Sequence, residues 1–314
     1  MKKVLIIGAN GFVGRRILKH LTGKEYDLTA VSLHADIQPQ PGYRFVEADV
    51  KQTDAIRQLI LSVQPDAVIN ASALSVPDYC EQHHDEAYAM NVEATAVMAQ
   101  ACQACGARFL HLSTDFVFEG KEDCLHQEED PTQPVNYYGV TKREGEKRIQ
   151  EICTDYAILR VVVVYGKALP GQHGNICQLV KNKLSAGQTI RVVADQWRTP
   201  TWVGDIAEAA ERLIHHTKSG IYHICGAEYL SIADMAYRVA DYFHLDRSLI
   251  QPVTTKEMQE KTPRPRFSGL CIEKARLEIG YTPHTFEEGL AEMKDRFTNS
   301  VSRKDKILEE KRTN

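Results

Sequence analysis

The sequence predicts an α/β protein, a doubly wound parallel sheet that carries a smaller α/β lobe for substrate. Two observations point there. Short runs that are apolar at every position alternate with segments whose apolar residues recur at helical spacing. That is the pattern of strands covered on both faces by helices. A turn with three glycines also lies between the first run and the first helical segment.

In chain order, Val4–Ile7 reads as a strand. Phe12–Leu21 reads as a helix (Val13, Ile17, Leu18, Leu21) stopped by Gly23. Leu28–Leu33 and Arg44–Val46 are strands, and Asp54–Val63 is a helix capped by Thr53. Ala67–Asn70, Phe109–Leu112 and Ala157–Val164 are further strands, separated by long helices at Asp85–Ala104 and Asn136–Ile152. From about Tyr165 the pattern loosens. Helical segments at Asn175–Ala186, Ile206–His216, Ile232–Phe243 and Phe286–Phe297 alternate with Pro- and Gly-bearing loops and two short strands, Thr189–Val193 and Ile221–Cys225. The expected organisation is a dinucleotide-binding domain over 1–165, rejoined by about 203–225. An interleaved substrate-binding lobe follows over 166–298, then a charged tail over 299–314.

Composition narrows the function classes. The 314 residues are 43% hydrophobic and 25% charged, ordinary for a globular chain. No apolar run reaches the ~18 residues of a membrane span. The short apolar stretch after Met1-Lys2-Lys3 lacks the length and cleavage site of a signal peptide. A net charge of −4 gives no electrostatic case for nucleic acid. Eight cysteines, scattered apart from Cys102 and Cys105, match reduced cytoplasmic usage. Cys102-x-x-Cys105 ends a helix rather than opening one, so it lacks the electropositive setting of a redox pair. The adjacent pairs His83-His84 and His215-His216 point ~100° apart on a helix and cannot chelate one metal together. Phosphate-loop and serine-hydrolase motifs are absent.

Gly8-Ala9-Asn10-Gly11-Phe12-Val13-Gly14 follows the first strand and opens the first helix. In a Rossmann-type sheet the first glycine makes the tight turn. The second admits a pyrophosphate, and the third packs helix on strand, with the helix N-terminus facing the anion. Gly8, Asn10, Gly11, Phe12, Val13, Gly14, Arg15 and Ser32 are therefore candidate cofactor residues. The carboxyl ends of the neighbouring strands add Asp49, Val50, Ala71, Ser72 and Ala73. The second strand ends at Ser32-Leu33 without the acid that would take the ribose 2′-hydroxyl of NAD, and Asp36 falls three residues later. Arg15 and Arg16 could meet a 2′-phosphate. NADP is expected over NAD.

Tyr138-Gly139-Val140-Thr141-Lys142 places a phenol and an ammonium one helical turn apart. Ser113-Thr114-Asp115 stands at the carboxyl end of the preceding strand, where ligands of such sheets bind. A free phenol, with a pKa of ~10, needs a neighbouring cation to relay protons at neutral pH.

The glycine spacing, the Thr114–Tyr138 interval and Tyr-x-x-x-Lys together resemble the extended short-chain dehydrogenase/reductase family. The run Leu110-His111-Leu112-Ser113-Thr114-Asp115-Phe116-Val117-Phe118-Glu119-Gly120 resembles the dTDP-4-dehydrorhamnose reductases within it. So do Glu129-Asp130-Pro131, Pro134-Val135-Asn136-Tyr137-Tyr138-Gly139, Asp195-Gln196 with Pro200-Thr201, and Arg264-Pro265 with Ser268 and Leu270. Asp78 and Glu81 fit the same pattern. The resemblance implies that Tyr138 is the acid/base, that Lys142 lowers its pKa and binds the nicotinamide ribose, and that Thr114 holds the reacting oxygen. The implied reaction is NADPH-dependent reduction of the 4-keto group of a nucleotide-linked deoxysugar, as in dTDP-rhamnose biosynthesis. The resemblance puts Asp115, Phe116, Trp197, Arg198 and Arg264 on the substrate side, with Trp197 as sugar wall and Arg198 or Arg264 on the diphosphate. It admits a homodimer, while charge, apolar run length and histidine spacing give no metal, nucleic acid or membrane partner. Val163 stands where the family commonly has Trp. Sugar-nucleotide epimerases share the fold, as does the regulatory subunit of methionine adenosyltransferase, a nucleotide-binding protein that is not primarily a catalyst. Dehydratases place Glu after Asp, where this chain has Phe116, a residue that cannot take a proton.

Overall fold

The computed structural model describes residues 1–294. The last helix, expected over Phe286–Phe297, ends at Ala291; residues 295–297 of that expectation and the charged tail 299–314 lie outside the described residues.

Seven parallel strands form one sheet: β1 (Lys2–Ile7), β2 (Tyr26–Ser32), β3 (Arg44–Glu47), β4 (Ala67–Asn70), β5 (Arg108–Thr114), β6 (Tyr156–Val161) and the strand Gly220–His223. Their spatial order is β3-β2-β1-β4-β5-β6-(Gly220–His223). The order reverses between β1 and β4, and that switch point opens a crevice at the carboxyl ends of the strands. Why the strands are apolar throughout is visible in β1. Val4 and Ile6 join one core layer, with the helices α1 (Phe12–Leu21) and Val203–His215. Leu5 and Ile7 point the other way, into a layer with Thr53–Val63 and Ala94–Cys105. Successive side chains on a strand alternate faces, so a sheet covered on both sides needs apolar residues at every position.

After β6 the chain leaves the sheet. Ile190–Val193 pairs with Ile250–Val253, and the helices Ile176–Ser185 and Ile232–Tyr242 pack together over a third core cluster. Between these excursions, Val203–His215 packs on α1 and Gly220–His223 pairs in parallel with β6.

Two expectations at the element level are corrected. The helix expected over Asp85–Ala104 is two α-helical pieces, His84–Tyr88 and Ala94–Cys105, joined by a π-helical turn at Ala89–Glu93. The extra residue in that turn lets Asn91 reach two neighbours, as described below. The strand expected over Ala157–Val164 ends at Val161. Val164–Tyr165 pairs instead with Thr201–Trp202, and the break is Val163, at φ 35°. A β-branched residue is strained there, at a cost of about 1–3 kcal/mol. Val163 packs against both the sheet core and the lobe core, which hold it in place. Asn tolerates the left-handed region, so Val163→Asn is expected to raise the urea midpoint, by ~1 kcal/mol of stability. A lower midpoint would mean that the packing of Val163 outweighs its strain.

Candidate active site

The phosphate turn is built as its glycines demand. Gly8 has φ 85° and lies against the strand end of β4, where a Cβ would come within 2.7 Å of the Ala71 and Ser72 backbone. A Cβ at Gly14 would meet the Gly8 carbonyl oxygen at 2.2 Å. At Gly11 it would meet only that same oxygen, at 3.0 Å. Gly11 is the glycine with room beside it, as close approach of a pyrophosphate requires. Beside it opens a cavity of about 300 Å³, lined by Gly8, Gly11, Ser32, Asp49, Val50 and Ala71-Ser72-Ala73 among others. The cradle fits the adenosine and pyrophosphate of a dinucleotide. Phe12 and Val13 do not line it; they pack toward the lobe core. Asn10 donates to the carbonyls of His34 and Ala35, both at 2.9 Å, and ties the turn to the loop after β2.

Arg15 differs from expectation. Its guanidinium is buried and already paired: with Asp36 at 2.5 Å, Asn10 at 2.7 Å and the Tyr43 hydroxyl at 3.2 Å. Burial works against the charge on Asp36, but hydrogen bonds from Tyr43, Gln38 and Arg15 outweigh it and hold the carboxyl below its ordinary value. Any 2′-phosphate reaching Arg15 must compete with that carboxylate.

The catalytic candidates meet at the carboxyl end of β5. The helix Tyr137–Ile152 begins with Asn136 as its cap, the Asn136 side chain accepting from the Gly139 N–H at 2.9 Å. Gly139 rests on the turn Asp115–Val117, where a Cβ would strike the Phe116 carbonyl oxygen at 2.2 Å. That close approach sets Tyr138 beside Thr114, which works against the rise of the phenol. Thr114 Oγ1 in turn accepts from the Phe116 N–H at 3.2 Å and donates to Asp115 at 3.0 Å. Burial raises the Tyr138 phenol above its ordinary value, so it rests protonated at neutral pH.

Lys142 is fully buried. Its nitrogen lies 2.7 Å from the Leu112 carbonyl oxygen and 3.0 Å from His111 Nε2. Burial pushes it down to about 8, against the pull of Glu146. The expected lowering of the phenol by the ammonium is not what this cofactor-free arrangement has, because the lysine is turned toward His111 and Leu112.

Four residues that sequence reasoning missed support this cluster. Asn91, in the π-helical turn, donates to Leu74 O at 3.0 Å and Thr141 Oγ1 at 2.9 Å, and it accepts from Leu74 N–H at 2.9 Å. It thereby clamps the loop after β4 to the helix Tyr137–Ile152, in keeping with π-turns at functional sites. Glu146 accepts two hydrogen bonds from Arg160 (3.0 and 2.7 Å) and one from Ser113 (2.5 Å). This locks the same helix to β5 and β6. His111 is the fourth. It reads in sequence as one more residue of a buried strand, and only its contact with Lys142 marks it.

With the geometry in hand, comparison with known proteins is decisive. Residues 1–299 match the family model of the RmlD substrate binding domain. The chain belongs to that family. It is therefore an NAD(P)-dependent oxidoreductase of the extended short-chain dehydrogenase/reductase class. It is 32% identical over 294 residues to the spore coat polysaccharide biosynthesis protein SpsK of Bacillus subtilis, covering 93% of this chain and 96% of that one. It is 30% identical over 285 residues to methionine adenosyltransferase 2 subunit beta of Bos taurus, covering 89% and 83%. The crystal structure of dTDP-4-dehydrorhamnose reductase from Bacillus anthracis in complex with NADP superposes with a TM-score of 0.83 at 28% identity, covering 93% and 98%.

For an RmlD-type chain, the substrate-side candidates divide into two groups. Asp115 and Arg198 lie beneath the crevice, which corrects the roles expected for them. Arg198 is buried and spends its donors on Pro265 O (2.7 Å), Trp197 O (2.8 Å) and Gln196 (3.2 Å), with Asp115 at 3.7 Å. A guanidinium so committed cannot also clamp a diphosphate. Asp115 accepts from Ser268 at 2.5 Å as well as from Thr114, and is a strut rather than a sugar ligand. Burial raises its carboxyl, opposed by Arg198, Ser268 and Thr114. Phe116, Trp197 and Arg264 remain partly exposed. Phe116 sits edge-on to Tyr138 with ring centres 5.9 Å apart. Trp197 faces Tyr229 at 5.8 Å, and Arg264 pairs with Glu260 at 3.4 Å. Glu81 accepts the Tyr137 N–H at 2.9 Å. Among the described residues no helix is long and apolar enough to cross a membrane.

Proposed function

We propose that this chain is a cytoplasmic reductase that converts the 4-keto group of a nucleotide-linked deoxysugar to an alcohol, with NADPH as reductant. The observation that carries the reading is the meeting of Thr114, Tyr138 and Lys142 at the end of β5, beside a glycine turn and cavity that fit a dinucleotide. When bound, a reduced nicotinamide supplies hydride for the carbonyl carbon. The chain supplies the rest. Tyr138, held protonated by burial, gives its proton to the carbonyl oxygen. Thr114 orients the phenol, and Lys142 stands where the nicotinamide ribose and the phenol can both be reached. Phe116 and Trp197 offer the apolar wall that Val163, in place of Trp, does not, and Arg264 is the guanidinium exposed enough to meet a diphosphate. NADPH consumption with dTDP-linked 4-keto-6-deoxysugars tests the reading. Tight NADPH binding without consumption across dTDP-, UDP- and GDP-linked 4-keto sugars would favour a second reading, a cofactor-holding regulatory subunit. Likeness to methionine adenosyltransferase 2 subunit beta supports that alternative.

The preference for NADP rests on Ser32, where an acid would be needed for NAD, and on Arg15. Because Asp36 competes for Arg15, Asp36→Asn is expected to widen the NADPH-over-NADH affinity ratio by about tenfold, equal to ~1.4 kcal/mol. Fluorescence titration of both cofactors measures it. An unchanged ratio would remove Arg15 from the 2′-phosphate site.

A further inference from the structure

We propose that His111 is a positioning residue that selects the neutral amine form of Lys142 in the cofactor-free protein, through a hydrogen-bond chain that starts at the backbone of Ser72. The chain fixes each group in turn. Asn70 Oδ1 lies 3.0 Å from the Ser72 backbone N–H and 2.6 Å from the Ser72 hydroxyl. A backbone N–H only donates, so that end of the Asn70 amide is the oxygen. The amide nitrogen therefore faces His111 Nδ1, at 3.2 Å. An amide NH₂ also only donates, so Nδ1 presents its lone pair, and a neutral imidazole with a bare Nδ1 carries its proton on Nε2. Nε2 points at the Lys142 nitrogen, 3.0 Å away.

An ammonium opposite that N–H would set donor against donor. A neutral amine has one lone pair to accept it and still keeps hydrogens for the Leu112 carbonyl at 2.7 Å. Every group in the chain then has a partner of the right kind. His111 does not escape by taking a proton. It is fully buried, and burial, then the lysine charge, pushes its pKa down.

The other charged and titratable groups around the lysine leave this balance in place. Glu146, one turn along the same helix, favours the ammonium, but its oxygens are taken by Arg160 of β6 and by Ser113. Tyr138, one turn before, is a neutral phenol. Asp115, beyond Thr114, is held by Arg198 and Ser268.

This has a consequence for cofactor binding, which rests on the dinucleotide reading above. A lysine that must act as ammonium toward a ribose takes up one proton from solvent when the dinucleotide binds above its own midpoint, and none below it. NADPH affinity then weakens as pH rises through that midpoint.

Two measurements test the proposal. The first needs no cofactor. In protein labelled with 15N-histidine, the His111 signals are those lost in His111→Gln. They are expected to show a neutral ring protonated on Nε2 at pH 9, above the midpoint of Lys142 at about 8. A proton on Nδ1, or a charged ring, overturns the proposal. The second is the pH dependence of NADPH binding. Gln at 111 places a carbonyl oxygen near the position of Nε2 and accepts from an ammonium. His111→Gln is therefore expected to move the midpoint up by about one pH unit, a tenfold gain in proton affinity, with affinity at pH 6.5 kept. A purely structural His111 would lower the melting temperature and leave the midpoint in place, and that result overturns the proposal. If His111→Gln does not fold, Asn70→Asp serves. Its carboxylate accepts from Nδ1–H, and the 15N spectrum is expected to show the proton moved to Nδ1; a proton that stays on Nε2 refutes control by residue 70. Failure of NADPH to bind at any pH would remove the dinucleotide reading while the histidine spectrum still decides the tautomer.

Discussion

Tyr138→Phe is expected to lower turnover of a 4-keto sugar nucleotide by ~10²-fold or more, the usual scale for a lost general acid, while NADPH affinity stays nearly unchanged. The ring remains, and with it the edge-on contact to Phe116 at 5.9 Å; only the hydroxyl is removed. Thr114 cannot replace it, because its proton is directed to Asp115 at 3.0 Å. Lys142→Ala is the matching control. It should weaken both turnover and NADPH affinity, because in the proposed reaction one nitrogen serves the phenol and the ribose. Steady-state kinetics beside fluorescence titration separates the two patterns. Normal turnover in Tyr138→Phe would remove the phenol from the chemistry altogether.

The second large effect is on stability. Arg160 and Glu146 are both buried and form a two-pronged ion pair between β6 and the catalytic helix. Ser113 adds a bond to the carboxylate, and the guanidinium also reaches the Glu128 carbonyl at 3.3 Å and lies over the Phe118 ring at 5.0 Å. Removing one partner strands a buried charge, at a cost of about 3–5 kcal/mol. Glu146→Ala is therefore expected to lose that much in urea unfolding. Replacing both residues by Met should recover most of the loss, since apolar replacement of a buried pair is often neutral or better. A loss under ~1 kcal/mol in Glu146→Ala would show that water reaches the guanidinium and that the pair does not hold the helix.

What the sequence made legible was local. Apolar-at-every-position runs such as Val4–Ile7 announced a doubly covered sheet. The glycine turn announced the cradle between strand and helix. Tyr138 and Lys142 could be paired because four residues span one helical turn. What stayed hidden depends on partners far along the chain. Asp115 and Ser268 are separated by 153 positions, and Arg198 and Pro265 by 67, so nothing local distinguished a buried strut from a substrate ligand. His111 carried no periodic signal inside an apolar strand. The π-helical turn and the break at Val163 follow from packing between layers, which overrides the helical and strand patterns of their own segments.

The loop from Pro263 to Ser268 shows what such distant partners mean for the order of assembly. Asn136 donates to Pro263 O at 2.8 Å, Arg198 to Pro265 O and Ser268 to Asp115, and the Phe267 N–H bonds Gly120 O at 2.9 Å. The lining of the nucleotide cradle ends at Met90, whereas the bonds beneath Thr114 wait for Ser268. A chain emerging from the ribosome at ~5–20 residues per second can shape its cofactor half many seconds before the segment that braces the reaction centre exists. The surroundings of Thr114 are thus braced only once the chain has been made as far as Ser268.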